Sequence, residues 1–266
     1  MLVTALLLGM VEGVTEFLPI SSTGHLILLG DLLGFQGPTE KLFAIVIQLG
    51  AILAVCWLYR EKLLRTATGL VRQETQDWRF ATSLLLAVLP AVVLGALLHN
   101  YIKQTLFSPM VVATAMVVGG LAILVVERYK PLPSLDNPYG LSATTSLQIG
   151  LFQCLSMIPG TSRSGATILG ALVLGVERKA ATEFSFFLAI PTMVAATAYD
   201  LYKNRGLVSF HDTELIVVGF IAAFVSALLV VRWLVGWVAR HSFHPFAWYR
   251  IVVGLGMFAV LRMVLA

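Results

Sequence analysis

Charge is what this sequence lacks. Its 18 Lys and Arg and 14 Asp and Glu make up 12% of 266 residues, where a soluble domain carries roughly 25%. With 58% apolar side chains and a mean hydropathy of +0.89, that scarcity excludes a soluble globular domain and a disordered chain. Cysteine is scarce too. Cys56 and Cys154 are too few for a disulfide scaffold, and both sit in apolar runs where packing is expected. The basic residues are dispersed among short loops rather than gathered in a patch, so the net charge of +4 does not point to nucleic acid. Residues 2–11 are apolar but have no basic n-region, and Glu12 and Glu16 stand where a cleavage site would lie, so a signal peptide is not expected.

What is present is a set of long apolar runs. Six are long enough to span a bilayer, at 42–59, 81–99, 109–126, 180–202, 213–235 and 247–265. Residues 60–80 are expected to be a loop. Two further stretches, 2–35 and 148–176, are apolar but interrupted. The first is broken at Leu18-Pro19-Ile20-Ser21-Ser22-Thr23-Gly24-His25 and the second at Ile158-Pro159-Gly160-Thr161-Ser162-Arg163-Ser164-Gly165. Each flank is too short to cross about 30 Å of hydrocarbon, so a re-entrant hairpin is expected in each. Irregular backbone at membrane depth is tolerated only against protein or a wet cavity.

The two stretches are copies at an offset of 141 residues: Gly9 with Gly150, Ser21 with Ser162, Gly24 with Gly165, Gly34 with Gly175, and then Phe43 with Phe184. Farther on, Val117-Val118-Gly119 matches Val252-Val253-Gly254. The expected fold is therefore an all-α polytopic membrane protein of six transmembrane helices and two re-entrant helix–loop–helix hairpins. It forms a single membrane domain built of two repeats, about 1–130 and 140–266. Three spans per repeat make the second inverted relative to the first, which commonly places a site at the repeat interface. The side receiving Arg60, Lys62, Arg65, Arg72, Arg79, Arg128, Lys130, Arg178, Lys179, Arg232 and Arg240 is the more basic. The opposite side has Lys41, Lys103, Lys203, Arg205 and Arg262. By the positive-inside rule the first side is cytoplasmic and both termini are outside.

Glu12 and Glu16 share a helix face just before the first break. Two carboxylates at membrane depth are costly and point to a bound cation or to a site where one of them is kept protonated, with two interfacial glutamates facing water on a shallow hairpin as the plainer alternative. Ser21, Ser22 and His25 follow within one turn, the spacing of a nucleophile with a general base. The second break supplies Arg163 between Ser162 and Ser164, with Gly160, Gly165 and Thr167 close by. A cationic, glycine- and serine-rich turn that opens a helix is a phosphate cradle. Together the breaks make a composite site for a phosphate ester, with Arg163 neutralising Glu12 or Glu16 as the plainer alternative. Gln48 could reach the same cavity or bond a neighbouring helix. Glu183 and Asp200 are expected at membrane interfaces, and Arg250 is expected to snorkel from the start of the last span. His99, His211, His241 and His244 show no ligand pattern.

The segments from Glu12 to His25 and from Pro159 to Thr167 resemble the two signatures of the bacterial undecaprenyl-diphosphatase (bacitracin-resistance) family. The likeness extends over Ile47-Gln48-Leu49-Gly50 and the run from Glu183 to Pro191. It implies hydrolysis of undecaprenyl diphosphate to undecaprenyl phosphate and inorganic phosphate, recycling the carrier lipid for cell-wall synthesis in the bacterial cytoplasmic membrane. It further implies Ser22 as nucleophile with His25 assisting, and Glu12 and Glu16 in metal or catalytic support. Arg163, Ser162, Ser164 and Thr167 would bind the diphosphate, with Ser21 and Gly165 beside them. The implied cofactor is a divalent cation, Mg²⁺ or Ca²⁺. The partners are the polyprenyl diphosphate and membrane lipids, with a homodimer left open. A lipid flippase or ion-coupled anion transporter is the rival reading, because inverted repeats with broken helices also build transporters.

Overall fold

The computed structural model describes residues 1–35, 38–203 and 213–265 and is helical throughout. Eleven α-helices are described: α1 (Leu2–Thr15), α2 (Ser22–Leu32), α3 (Pro38–Leu58), α4 (Arg60–Val71), α5 (Thr75–Thr105), α6 (Pro109–Tyr129), α7 (Ala143–Gln153), α8 (Arg163–Val173), α9 (Arg178–Lys203), α10 (Thr213–Val238) and α11 (His244–Leu265). Arg205 and His211, and the side chains of Lys41, His99 and Lys103, lie outside the described residues.

Among the described residues, five helices are long and apolar enough to cross a membrane: Thr75–Leu98, Pro109–Tyr129, Arg178–Lys203, Thr213–Val238 and His244–Met263. A sixth candidate is the pair Leu42–Leu58 and Arg60–Val71, bent by 74°. That bend corrects the expected loop at 60–80. The sequence Arg-Glu-Lys-Leu-Leu-Arg that opens α4 is rich in strong helix formers, so after the break at Tyr59 the charged segment forms a second helix in a new direction. Gln73, with φ of 58°, then turns the chain, and Gly69 lies against the Asp77 carboxylate where a side chain would collide.

Both interrupted stretches are helix–break–helix units. Ser21 caps α2 by accepting from the Gly24 amide at 3.4 Å, and Ser162 caps α8 from the Gly165 amide at 3.1 Å. Each unit ends on a glycine with positive φ, Gly34 at 64° and Gly175 at 80°. Both then fold back. In the first, Phe35 joins Ala5, Leu8 and Phe43 in one apolar cluster. In the second, Leu135 pairs with Val176 in an isolated bridge.

The packing is reciprocal. α1 lies along α10 while α7 lies along α5, and α3 contacts α10 while α5 contacts α9. The matched glycines make both of the first contacts: Gly9 sits on the Gly219 backbone and Gly150 on that of Ala87, with no room for a Cβ. The basic ends of the helices gather together. Glu127 there takes Arg178 at 2.7 Å, Lys130, and the Phe243 amide at 2.8 Å. Lys62 pairs with Glu183 at 3.4 Å.

Candidate active site

The breaks meet. The Ser162 and Ser164 hydroxyls donate to the Leu18 carbonyl at 3.2 and 2.9 Å, so the second break is stitched to the first. Beside this seam lies a cavity of about 230 Å³ walled by Glu16, Ser21, Ser22, Ser162 and Arg163. Polar residues from elsewhere complete it: Thr23, Gln48, Ser156, Thr161 and Thr192. Gln48 therefore takes the cavity side of its two alternatives.

Ser22 donates to Glu16 Oε2 at 2.5 Å, and Arg163 Nη2 donates to Glu16 Oε1 at 3.4 Å. Glu16 thus joins the hydroxyl of one break to the guanidinium of the other. Arg163 Nη1 donates to the Ser185 carbonyl at 3.2 Å, while its Nε–H is buried without a partner. Glu12 is 1% exposed, and its Oε2 is likewise buried and unpartnered. Unpaired buried polar atoms carry a desolvation cost; one of these belongs to the Arg163 guanidinium itself and the other to Glu12, one helical turn before Glu16.

His25 does not take the place that its spacing predicts. Its Nδ1 lies 2.7 Å from the Ser21 carbonyl oxygen and its Nε2 2.7 Å from the Tyr249 hydroxyl. A carbonyl only accepts, so Nδ1 carries a proton and donates to Ser21; in the neutral form of the ring Nε2 then accepts from the Tyr249 hydroxyl. The imidazole therefore holds the backbone of Ser21, whose φ of 71° is rare for a residue with a side chain. Ser22 meets Glu16, not His25, because the nonhelical turn between them brings residues six apart within reach.

Arg250 is the largest surprise. It is 2% exposed and does not snorkel. Its guanidinium donates to the carbonyls of Pro19 and Gly160, one in each break, both at 3.1 Å. It also reaches Ala115 and Met116 on α6, at 3.0 and 3.3 Å. Gly119 makes room for it on α6, since a Cβ there would strike the guanidinium.

Of the predicted phosphate-cradle residues, Arg163, Ser162 and Ser21 reach the cavity wall. Ser164 and Thr167 are fully buried behind it, Thr167 bonding the Ser185 hydroxyl at 2.6 Å. Gly165 donates its amide to the Ser162 cap. Three further contributors carry no local signal: Tyr249, Arg250 and the Ser185 carbonyl.

Residues 5–256 match the family described as bacitracin resistance protein BacA. The chain belongs to that family. Similar full-length members include the "Undecaprenyl-diphosphatase 2" of Paramagnetospirillum magneticum, 54% identical over 97% of this chain and 98% of that protein. The "Undecaprenyl-diphosphatase" of Aromatoleum aromaticum is 55% identical over 97% and 93%. The "Undecaprenyl-diphosphatase 2" of Rhodospirillum rubrum is 55% identical over 97% and 94%. Membership in the bacitracin-resistance family makes this a multi-pass membrane protein whose polar cavity is the place to look for its chemistry.

Proposed function

We propose that this chain hydrolyses undecaprenyl diphosphate to undecaprenyl phosphate and inorganic phosphate in the bacterial cytoplasmic membrane, recycling the carrier lipid for cell-wall synthesis. The observation that carries the reading is the Ser22–Glu16–Arg163 chain in a buried polar cavity. It sets a nucleophile, a proton acceptor and an anion clamp side by side.

The architecture behind it is two inverted repeats, about 1–130 and 140–266, with α1–α2 and α7–α8 as re-entrant hairpins entering from opposite faces. The reciprocal helix contacts and the paired caps and glycines support this. The gathering of Lys62, Lys130 and Arg178 at one end supports a cytoplasmic placement of that end and external termini.

Arg163 leaves part of its pairing with Glu16 to clamp the diphosphate, and its Nε–H is a further donor without a partner. Ser22 Oγ forms a bond to the terminal phosphorus while the bond from that phosphorus to the bridging oxygen breaks. The hydroxyl proton passes to Glu16 and undecaprenyl phosphate leaves. Water then hydrolyses the phosphoserine. The protein's part is mostly positioning and charge stabilisation, and the clamp by Arg250 keeps the two breaks in register for it.

Glu12 and Glu16 fit a divalent cation, Mg²⁺ or Ca²⁺, because Glu12 Oε2 is a buried oxygen without a partner. No group of three or more His, Cys, Asp or Glu assembles among the described residues, so diphosphate oxygens would complete the shell, as Mg²⁺ sites commonly allow. Such an ion would neutralise charge on the diphosphate.

The test is phosphate release from undecaprenyl diphosphate by purified protein in detergent, with and without divalent cation. Release that disappears in Ser22→Ala and Arg163→Ala is the expected result. A flippase would release none, with no gradient present, and that outcome would overturn the proposal.

A further inference from the structure

A second cavity lies against the first. It measures about 470 Å³, within the ~300–1,000 Å³ of ligand sites, and runs between α6 and the α7–α8 unit. Its walls are apolar, with Val118 and Ala122 on one side and Phe152, Leu155, Leu169 and Val173 on the other. Its inner end is Thr161 and Ser162, which also wall the polar cavity. Its outer edge is open: Val118 is 58% exposed, Leu155 50% and Val173 43%.

The matching positions in the other half of the chain carry larger side chains. The offset that pairs the hairpins sets Ala166 against His25, and the offset pairing Val117-Val118-Gly119 with Val252-Val253-Gly254 sets Thr114 against Tyr249. His25 and Tyr249 stack at 5.6 Å with rings 8° from parallel and are hydrogen-bonded to each other. Ala166 and Thr114 both line the open groove. Two stacked aromatic rings stand at these positions in one half, and two small side chains line the open groove in the other.

We infer that this groove seats the first isoprene units of the substrate's polyprenyl chain, and that the asymmetry between the halves lets the lipid approach from one side only. The inference rests on the phosphatase reading. A diphosphate ester held at Ser22 and Arg163 must lead its hydrocarbon out of a polar cavity, and this apolar space shares that cavity's wall. In a bilayer the chain leaves lipid, not water, so the groove gains little from burial. Its contribution is alignment, fixing the phosphorus against Ser22.

The experiment compares two substrates, undecaprenyl diphosphate and the one-unit isopentenyl diphosphate. Phosphate release from both by the unaltered protein secures the underlying reading; release from neither overturns that reading independently of the groove. Ala122→Phe then narrows the groove away from the reacting groups. The expected result is a kcat/KM for the long substrate lowered about tenfold, mostly through kcat and equivalent to about 1.4 kcal/mol, with the one-unit substrate unchanged. An equal loss on both substrates, or no change on either, overturns the groove assignment. Should Ala122→Phe fail to fold, Thr114→Trp at the exposed face of α6 serves in its place. A photoreactive polyprenyl phosphate should label α6 and α8 and be displaced by undecaprenyl phosphate. Equal labelling by a photoreactive phospholipid would mean an ordinary lipid contact and would also overturn it.

Discussion

Replacing Arg250 with Met tests the idea that one side chain holds the two breaks in register. Methionine occupies much of the stem's volume but donates nothing. Two of the four carbonyls, Ala115 and Met116, lie within α6 and have helical partners. The loss therefore falls on Pro19 and Gly160, in the nonhelical breaks. At roughly 1.5–3 kcal/mol for a hydrogen bond to a charged group, those two bonds amount to about 3–6 kcal/mol. Expressed wholly in site geometry, this would slow turnover by roughly 10²–10⁴-fold at ~1.4 kcal/mol per decade. The assay is phosphate release in detergent micelles, with circular dichroism and a thermal transition to show that the helices persist. Because Arg250 positions backbone, kcat should fall far more than KM rises. Arg250→Lys keeps the charge but cannot span four acceptors with one ammonium group, so it should recover little. A Met variant turning over within about twofold of the unaltered protein, a difference under ~0.5 kcal/mol, would refute the reasoning.

Other substitutions separate packing from chemistry. Gly9→Val puts a side chain against the Gly219 carbonyl and should cost about 1–3 kcal/mol of stability as overpacking, seen as a lower thermal transition. Gly256→Ala, which meets open space inside α11, should leave the transition where it is or raise it, by up to about 1 kcal/mol of helix propensity. Glu127→Ala strands Arg178, Lys130 and the Phe243 amide; because the two cations are partly exposed and can turn to water, a loss of ~1–3 kcal/mol is expected from the groups left unpaired, with kcat unchanged in whatever protein remains folded. Tyr249→Phe keeps the ring stack but removes the hydroxyl on His25, so kcat should drop only a few-fold, matching about 0.5–1.5 kcal/mol for one hydrogen bond.

The breaks were legible because proline, glycine and serine disturb an otherwise apolar pattern, and because Ser21 and Ser162 cap the next helix in the same way. The paired positive-φ glycines were visible only through the repeat. Helix α4 was concealed by its charge, which marks a loop between spans as readily as a helix that has turned aside. Spacing along one helix pointed from Ser22 to His25, but a turn with no regular period separates Ser22 from its actual partner, Glu16. Tyr249 and Arg250 could not be read locally. They reach the first break across 224 and 231 residues, and an arginine at the start of a span has the same sequence signature whether it reaches the interface or the interior.

The Arg250 clamp also sets an order in time. Pro19 is translated 231 residues before the arginine that fixes its carbonyl, which at about 5–20 residues per second is an interval of roughly ten to fifty seconds. During that interval the nascent chain already has Glu12, Glu16, Ser22 and, later, Arg163, but lacks the donor that joins the two breaks. Competence therefore arrives with the final helix, and a chain truncated before α11 carries every proposed reacting group without the means to align them.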